Sequence, residues 1–202
     1  MNLNLIMGAR NGAKTPREEN DFYATHPDAV RKFIKKLKKD NIDLKFYSIW
    51  ECACGKGHIS ETLKEFNYRV YSSDLVDRKY KDCSSLGDFT DLEYEPFIPF
   101  QKKAIITNPP FKLATKFCYS ALKRCESGDL IMFFLKVRFL EGKTRKRLFE
   151  EYPPKYIYLY SERQQCALNG DFETYCKSSG TEFYCWVIWE KDYKGETITR
   201  WI

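Results

Sequence analysis

The stretch Glu51-Cys52-Ala53-Cys54-Gly55-Lys56-Gly57-His58 decides how this chain folds. Residues 44–51 form an apolar run suited to a buried strand, and residues 59–66 have helical spacing, so the two glycines fall on a strand-to-helix turn. Such a turn presents bare backbone N–H groups at the positive end of a helix and makes a ligand cradle. Residues 68–73 predict a second strand, and Asp74 at its end lies about twenty residues beyond Glu51, the spacing at which a carboxylate holds ribose hydroxyls. The third glycine of the dinucleotide fingerprint is missing, and Glu51 closes the first strand. That pattern suits a nucleoside with an amino-acid tail better than a pyrophosphate. A plain tight turn followed by a surface Asp would carry the same residues, so a second landmark is needed.

That landmark is Asn108-Pro109-Pro110-Phe111, between the apolar run Ala104-Ile105-Ile106-Thr107 and a helical segment at 113–125. It lies on a loop at the carboxyl end of a buried strand, where open α/β sheets bind ligands. The paired prolines fix φ, lack N–H groups and leave carbonyl oxygens in a rigid row. The Asn108 side-chain oxygen and the Pro109 carbonyl are placed to accept both hydrogens of an exocyclic amine, drawing its lone pair toward an electrophile. Phe111 then stacks on the ring that bears the amine, and Lys112 follows at the rim. A proline-stiffened strand exit with a core Phe is the alternative, but chance yields this tetrapeptide on the order of once in a thousand chains of this length.

The remaining elements follow outward. Asp21-Phe22-Tyr23-Ala24-Thr25-His26-Pro27 leads into an amphipathic helix from Asp28 to about Lys39, apolar at Val30, Phe33, Ile34 and Leu37 and basic on its other face. Residues 1–20 are polar and without period, and read as a flexible arm. Gly87-Asp88-Phe89 offers a carboxylate and an aromatic near a third strand end, suited to an adenine amino group and ring, though a turn beside a core Phe has the same residues. Strands are predicted at 129–135, 156–161 and 183–190, with a helix at 143–151 stopped by Pro153-Pro154. The interval 162–182 is long for a loop in one compact domain, which marks Arg163, Phe172, Tyr175 and Lys177 as candidate substrate contacts. Phe139, after the fifth strand, is another.

The chain's 202 residues suffice for one α/β domain, here residues 21–202. Eight cysteines include no CxxC and stand at no ligand spacing from the two histidines, so they read as reduced thiols with no metal site. No long apolar run suggests a membrane span, and a cytoplasmic location is the default expectation. A net charge of +6 accords with a polyanionic partner without requiring one.

In this order Asp21-Phe22-Tyr23, Glu51 with Gly55-x-Gly57, Asp74, Asp88 and Asn108-Pro109-Pro110-Phe111 resemble the motif series of class I S-adenosylmethionine-dependent methyltransferases. More narrowly they resemble the group that makes N6-methyladenine in DNA, including small phage-type enzymes, over roughly residues 20–202. The resemblance implies a Rossmann-like α/β fold, with a seven-stranded mixed sheet, helices on both faces and an antiparallel last strand. It implies S-adenosyl-L-methionine as cofactor, with Glu51, Cys52, Ala53, Gly55 and Gly57 around its methionine part, Asp74 and Leu75 at the ribose, and Asp88 and Phe89 at the adenine. Phe22, Tyr23 and Thr25 would close the pocket, and Asn108, Pro109, Pro110 and Phe111 would hold a flipped base. The implied partner is DNA, bound by a monomer or homodimer, with phosphates held by the basic helix at 28–39 and the group Arg138, Lys143, Arg145, Lys146 and Arg147. RNA is a competing acceptor, and so is a protein glutamine amide, although Tyr is commoner there at the Phe111 position. A binding module without catalysis is the reading from another class. The large target-recognition region of restriction-type relatives has no counterpart in this chain.

Overall fold

The computed structural model describes residues 22–99, 102–175 and 182–202, so the 1–20 arm, Asp21 and Lys177 lie outside the described residues. The strands are β1 (Tyr23–Thr25), β2 (Ser48–Glu51), β3 (Val70–Asp74), β4 (Cys83–Leu86), β5 (Lys103–Thr107), β6 (Leu130–Lys136), β7 (Tyr156–Leu159), β8 (Cys166–Leu168), β9 (Tyr184–Glu190) and β10 (Ile198–Trp201). The helices are α1 (Pro27–Lys39), α2 (His58–Lys64), α3 (Ala114–Arg124), α4 (Lys143–Glu151) and the single turn α5 (Phe172–Tyr175).

Eight strands form the main sheet in the order β10-β7-β9-β6-β5-β2-β3-β4. β9 runs antiparallel to β6 and β7, whereas the other neighbours pair in parallel. The expected count of seven is therefore exceeded by one. The strand expected to be last is antiparallel as predicted, but β10 follows it and pairs in parallel with β7. The third strand, expected near Phe89, ends just before it at Leu86.

Alternation along the strands builds two cores. Ile49, Ile106, Met132, Phe134, Trp186 and Ile188 face α1 and α2, while Trp50, Ile105, Ile131, Phe133, Val187 and Trp189 face α3 and α4. Helix α1 begins where His26 accepts the Asp28 amide at 3.2 Å and Pro27 supplies a preset φ. Its residues Ala29, Val30, Phe33, Ile34 and Leu37 recur at helical spacing and are all buried. The Phe33 ring stacks on Trp186 at 4.2 Å, and burying a side chain of that size contributes about 1.5–3 kcal/mol.

Residues 162–175 are more ordered than a loop. Their β8 pairs antiparallel with β1, Ala24 opposite Ala167, and α5 follows. This two-stranded ribbon is separate from the main sheet, and it brings the residues just before α1 to the end of β5.

Candidate active site

The site is built where β2, β3 and β5 end. After β2 the chain turns through Gly55 (φ +57°) and Gly57 (φ +84°), left-handed backbone that disfavours any side chain. Space excludes one as well: a Cβ would meet the Phe22 ring at 2.9 Å from Gly55 and the Tyr80 ring at 2.3 Å from Gly57. The Asp74 carboxylate fastens this turn to the next, accepting from the Gly55 amide at 2.7 Å and the Val76 amide at 3.0 Å. The Arg78 guanidinium lies 4.5 Å from the centre of the Phe22 ring and 3.8 Å from Asp74, so Phe22 and Arg78 cover the glycine turn.

Beneath the turn Glu51 is fully buried, and neither of its carboxylate oxygens makes a well-formed hydrogen bond among the described residues, with the Thr107 hydroxyl and the Ala53 backbone near enough only to favour its charge weakly. The hydroxyls of Thr107 and Thr25 and the Oδ1 of Asn108 are likewise buried without partners. Burial pushes the Glu51 carboxyl up to about 8, a shift that the polar groups of Thr107 and Ala53 oppose and the charge of Asp74 reinforces. Such buried, unsatisfied polar atoms are costly in a folded protein, and their concentration at one point suits a polar ligand.

Asn108 leaves β5 with its side chain held. Its Nδ2 donates to the Tyr23 carbonyl of β1 at 2.7 Å and stands 4.0 Å from the Cys166 sulfur of β8. The amide is thereby oriented with its nitrogen engaged and its oxygen buried without a partner among the described residues. Pro109 is buried, and the Pro110 carbonyl accepts the Leu113 amide at 2.8 Å, leading into α3. Phe111 is half-buried, with Tyr23 and Tyr184 rings at 6.1 and 6.3 Å and the Lys136 ammonium 4.6 Å from its centre.

The structure thus gathers Phe22, Glu51, Gly55, Gly57 and Asp74 at one end of the site and Tyr23, Asn108 and Phe111 at the other. Thr25 lies on the ribbon, Leu75 is exposed beside Asp74, and Lys112 is exposed beyond Phe111. Asp88 is exposed and caps its own turn, accepting from the Thr90 amide at 2.7 Å. Several expectations need correction. Phe89 is 2% exposed and packs against Trp50 and Phe117, so its ring belongs to the core and is not open to an adenine. Phe139 is buried beside Phe149 and Arg145, on the face that α4 covers, and is closed to substrate. The Cys52 side chain is buried in the same core, leaving Ala53 half-buried at the turn. Phe172 is wedged between the His26 and His58 rings at 5.0 and 5.2 Å. Arg163 lies 4.4 Å over the exposed Phe183 ring, and Tyr175 is exposed. Three residues at the site, Lys136, Cys166 and Tyr184, carry no local signal in the sequence; the pairing of Lys136 with Tyr184 across β6 and β9 and of Thr25 with Cys166 across the ribbon brings them there.

Among the described residues no group of His, Cys, Asp or Glu is placed to hold a metal ion, and no helix is long and apolar enough to cross a membrane. No protein-family model matches the chain, and no curated protein matches it. Solved structures do. A candidate class I S-adenosylmethionine-dependent methyltransferase from Listeria monocytogenes is 14% identical, with a TM-score of 0.58, covering 89% of this chain and 65% of that one. The methyltransferase subunit of a type I restriction-modification system from Streptococcus thermophilus is 13% identical, with a TM-score of 0.61, covering 88% of this chain and 47% of that one. A candidate RNA methyltransferase from Pyrococcus horikoshii is 11% identical, with a TM-score of 0.59, covering 84% of this chain and 86% of that one. This chain therefore spans less than two thirds of the first two. The likeness establishes the fold: a Rossmann-like mixed sheet with helices on both faces, as in class I S-adenosylmethionine-dependent methyltransferases.

Proposed function

We propose that this protein methylates the exocyclic N6 amine of adenine in DNA, with S-adenosylmethionine as methyl donor. The observation that carries the reading is the side chain of Asn108. Its nitrogen is committed to the Tyr23 carbonyl at 2.7 Å and its oxygen is buried without a partner, so an acceptor is set in place for an N–H group. The Pro109 carbonyl stands next in the chain and takes the second hydrogen of a planar amine.

The residues present fit the cofactor. Glu51, with two orphaned oxygens, completes its hydrogen bonding with an ammonium group. Asp74 keeps a second lone pair on each oxygen for ribose hydroxyls, and the bare backbone of Gly55 and Gly57 allows close approach. When bound, S-adenosylmethionine supplies a methyl group on a positively charged sulfur. Asn108 and Pro109 pull electron density through the two N–H bonds and orient the nitrogen lone pair. The acceptor nitrogen, held by Asn108 and Pro109, would shed its proton to solvent only after it has become positive, so no general base would be needed beforehand. Phe111 holds the ring of the acceptor by stacking, worth about 1–3 kcal/mol per base. An adenine inside a duplex must first be flipped out at a cost of a few kcal/mol.

The test is mass spectrometry of nucleosides from methylation-free DNA and from RNA, each incubated with the protein and S-adenosylmethionine, with Asn108→Ala alongside. N6-methyladenine in DNA that disappears with Asn108→Ala is the expected result. Methyl transfer to RNA alone moves the acceptor and keeps the chemistry, and silence on both overturns the reading in favour of a protein amide or a binding role.

A further inference from the structure

We propose that Lys136 is the positioning residue for the Phe111 ring, covering one face so that a planar acceptor stacks on the other; the inference rests on reading Asn108–Phe111 as the acceptor loop. Lys136 ends β6, the strand beside β5, and its side chain is only 16% exposed. A lysine at such a place ordinarily runs its stem along apolar surface and puts its ammonium in water. Here the ammonium is turned inward, 4.6 Å from the centre of the Phe111 ring, where the ring's negative face attracts it. Glu182 holds it there through an Oε1 contact of 2.7 Å. Arg138 reaches the same carboxylate at 3.6 Å but is 66% exposed, so Lys136 is the inner partner.

The neighbours restrain the ring further. Tyr184 stands opposite Lys136 in the β6–β9 register and is stacked on Phe134 at 4.8 Å, which fixes its own ring 6.3 Å from Phe111. Tyr23 flanks Phe111 at 6.1 Å. With the ammonium on one face, two tilted rings beside it and the core of the sheet against it, Phe111 keeps one orientation, and its half-buried ring leaves only part of its surface for an acceptor. The charge of Lys136 would oppose a nitrogen that turns positive during methyl transfer. The Glu182 carboxylate offsets that charge, so the ring is held without this opposition. The same ion pair joins Phe111 to the chain entering β9, since the Val137 amide also donates to the Phe183 carbonyl at 2.8 Å.

Lys136→Met, which removes the ammonium and keeps an unbranched side chain, and Lys136→Arg, which keeps a cation, test this with Glu182→Gln as reference. The readouts are kcat and KM for DNA, the cofactor Kd by calorimetry, and Tm. Lys136→Met is expected to raise KM for DNA about tenfold with an unchanged cofactor Kd, and Lys136→Arg to recover most of that loss. If Lys136→Met and Glu182→Gln lower Tm alike while KM stays at the wild-type value, the pair is merely structural and the proposal is overturned. If the wild-type protein transfers no methyl group to DNA, RNA or a protein amide, the acceptor-loop reading fails and takes this proposal with it. Wild-type turnover with an unmoved KM in Lys136→Met removes the proposal alone.

Discussion

Glu51 shows what one buried residue does when its partners are missing. Its carboxyl ionises near 4.5 ordinarily and is pushed up to about 8 in the folded protein by burial. Over that window the folded chain keeps a proton that the unfolded chain has lost. The stability Glu51 contributes is therefore complete below about 4.5 and is lost as pH rises through about 8. Without ligand, the wild-type Tm should fall between about pH 5 and pH 8 more steeply than that of Glu51→Gln, which cannot ionise. An ammonium bound against Glu51 favours the charged form, so S-adenosylmethionine binding at pH 7 should release about one proton, measured by calorimetry in two buffers of different ionisation enthalpy. Glu51→Gln should abolish that release and weaken cofactor binding by about 2–5 kcal/mol. Equal proton release from both proteins would show that some other group titrates. Phe111→Ala is the complementary test. Losing a stacking face should lower kcat/KM for DNA by about 1–3 kcal/mol and leave cofactor affinity near its wild-type value. A matching fall in cofactor affinity would mean that Phe111 serves the core instead.

Helix α1 is amphipathic as its sequence predicts, and half of the cations on its basic face are paired within the molecule. Arg31 is paired with Asp28 and Glu65, Lys32 with Glu162, and Lys36 with Asp40. On α4, Lys146 meets Glu150 and Arg147 meets Glu151, and Arg145 donates to the Phe139 carbonyl at 2.7 Å. Most of these cations are thus already spent. Lys112 and Lys116, exposed beyond Phe111, form no salt bridge among the described residues, although the Lys116 charge is near enough to Asp88 to help lower its carboxyl. Changing both to Gln should make the slope of log K against log salt for DNA shallower by about 2, whereas changing Lys32 and Lys36 of α1, which are already paired, should leave it unchanged. Equal changes in the slope would return phosphate binding to α1. The longer elements were legible because α1 keeps a helical apolar period and β5, β6 and β9 are unbroken apolar runs buried on both faces: all four lie within a residue or two of their predicted bounds. The ribbon was not legible. β1 and β8 are three residues each and exist only by pairing across more than a hundred positions, which no local pattern records. For the same reason the glycine turn and the Asn108 loop could be read from the sequence, but not the Tyr23 carbonyl that sets the Asn108 amide.

Across the whole molecule, the acceptor loop sits beyond the middle of the sheet, at the end of β5, while one edge of the sheet is closed by β10, which the sequence reading left out. Ile198–Trp201 is short and largely exposed, and an alternating run of four gives little signal on its own. What secures it is a cluster of charged and polar side chains. Arg200 reaches Asp40 at 2.8 Å, and the Tyr158 hydroxyl and Lys36 ammonium reach the same carboxylate at 2.8 and 2.9 Å. Asp40, at the end of α1, thereby joins that helix to β7 and β10. Burial alone would raise its carboxyl, but the bonds from Arg200, Lys36 and Tyr158 outweigh it and hold the group at about 2, against an ordinary 3.8. The sign is opposite to that of Glu51: this contribution is present above about 3.8 and lost as pH falls through about 2. Asp40→Asn should lower Tm by about 3 °C or more at pH 7, with the gap from wild type closing progressively below about pH 4. Because the acceptor loop is several strands away, kcat/KM for methyl transfer at 25 °C should stay within about twofold of wild type. Hydrogen exchange should meanwhile quicken in β10 and the end of α1 before it does in β5 or β6. A fall in turnover that tracks the loss of Tm would show that the edge and the active site are mechanically one unit, with α1 and the residues preceding it transmitting the change to Tyr23 and Asn108.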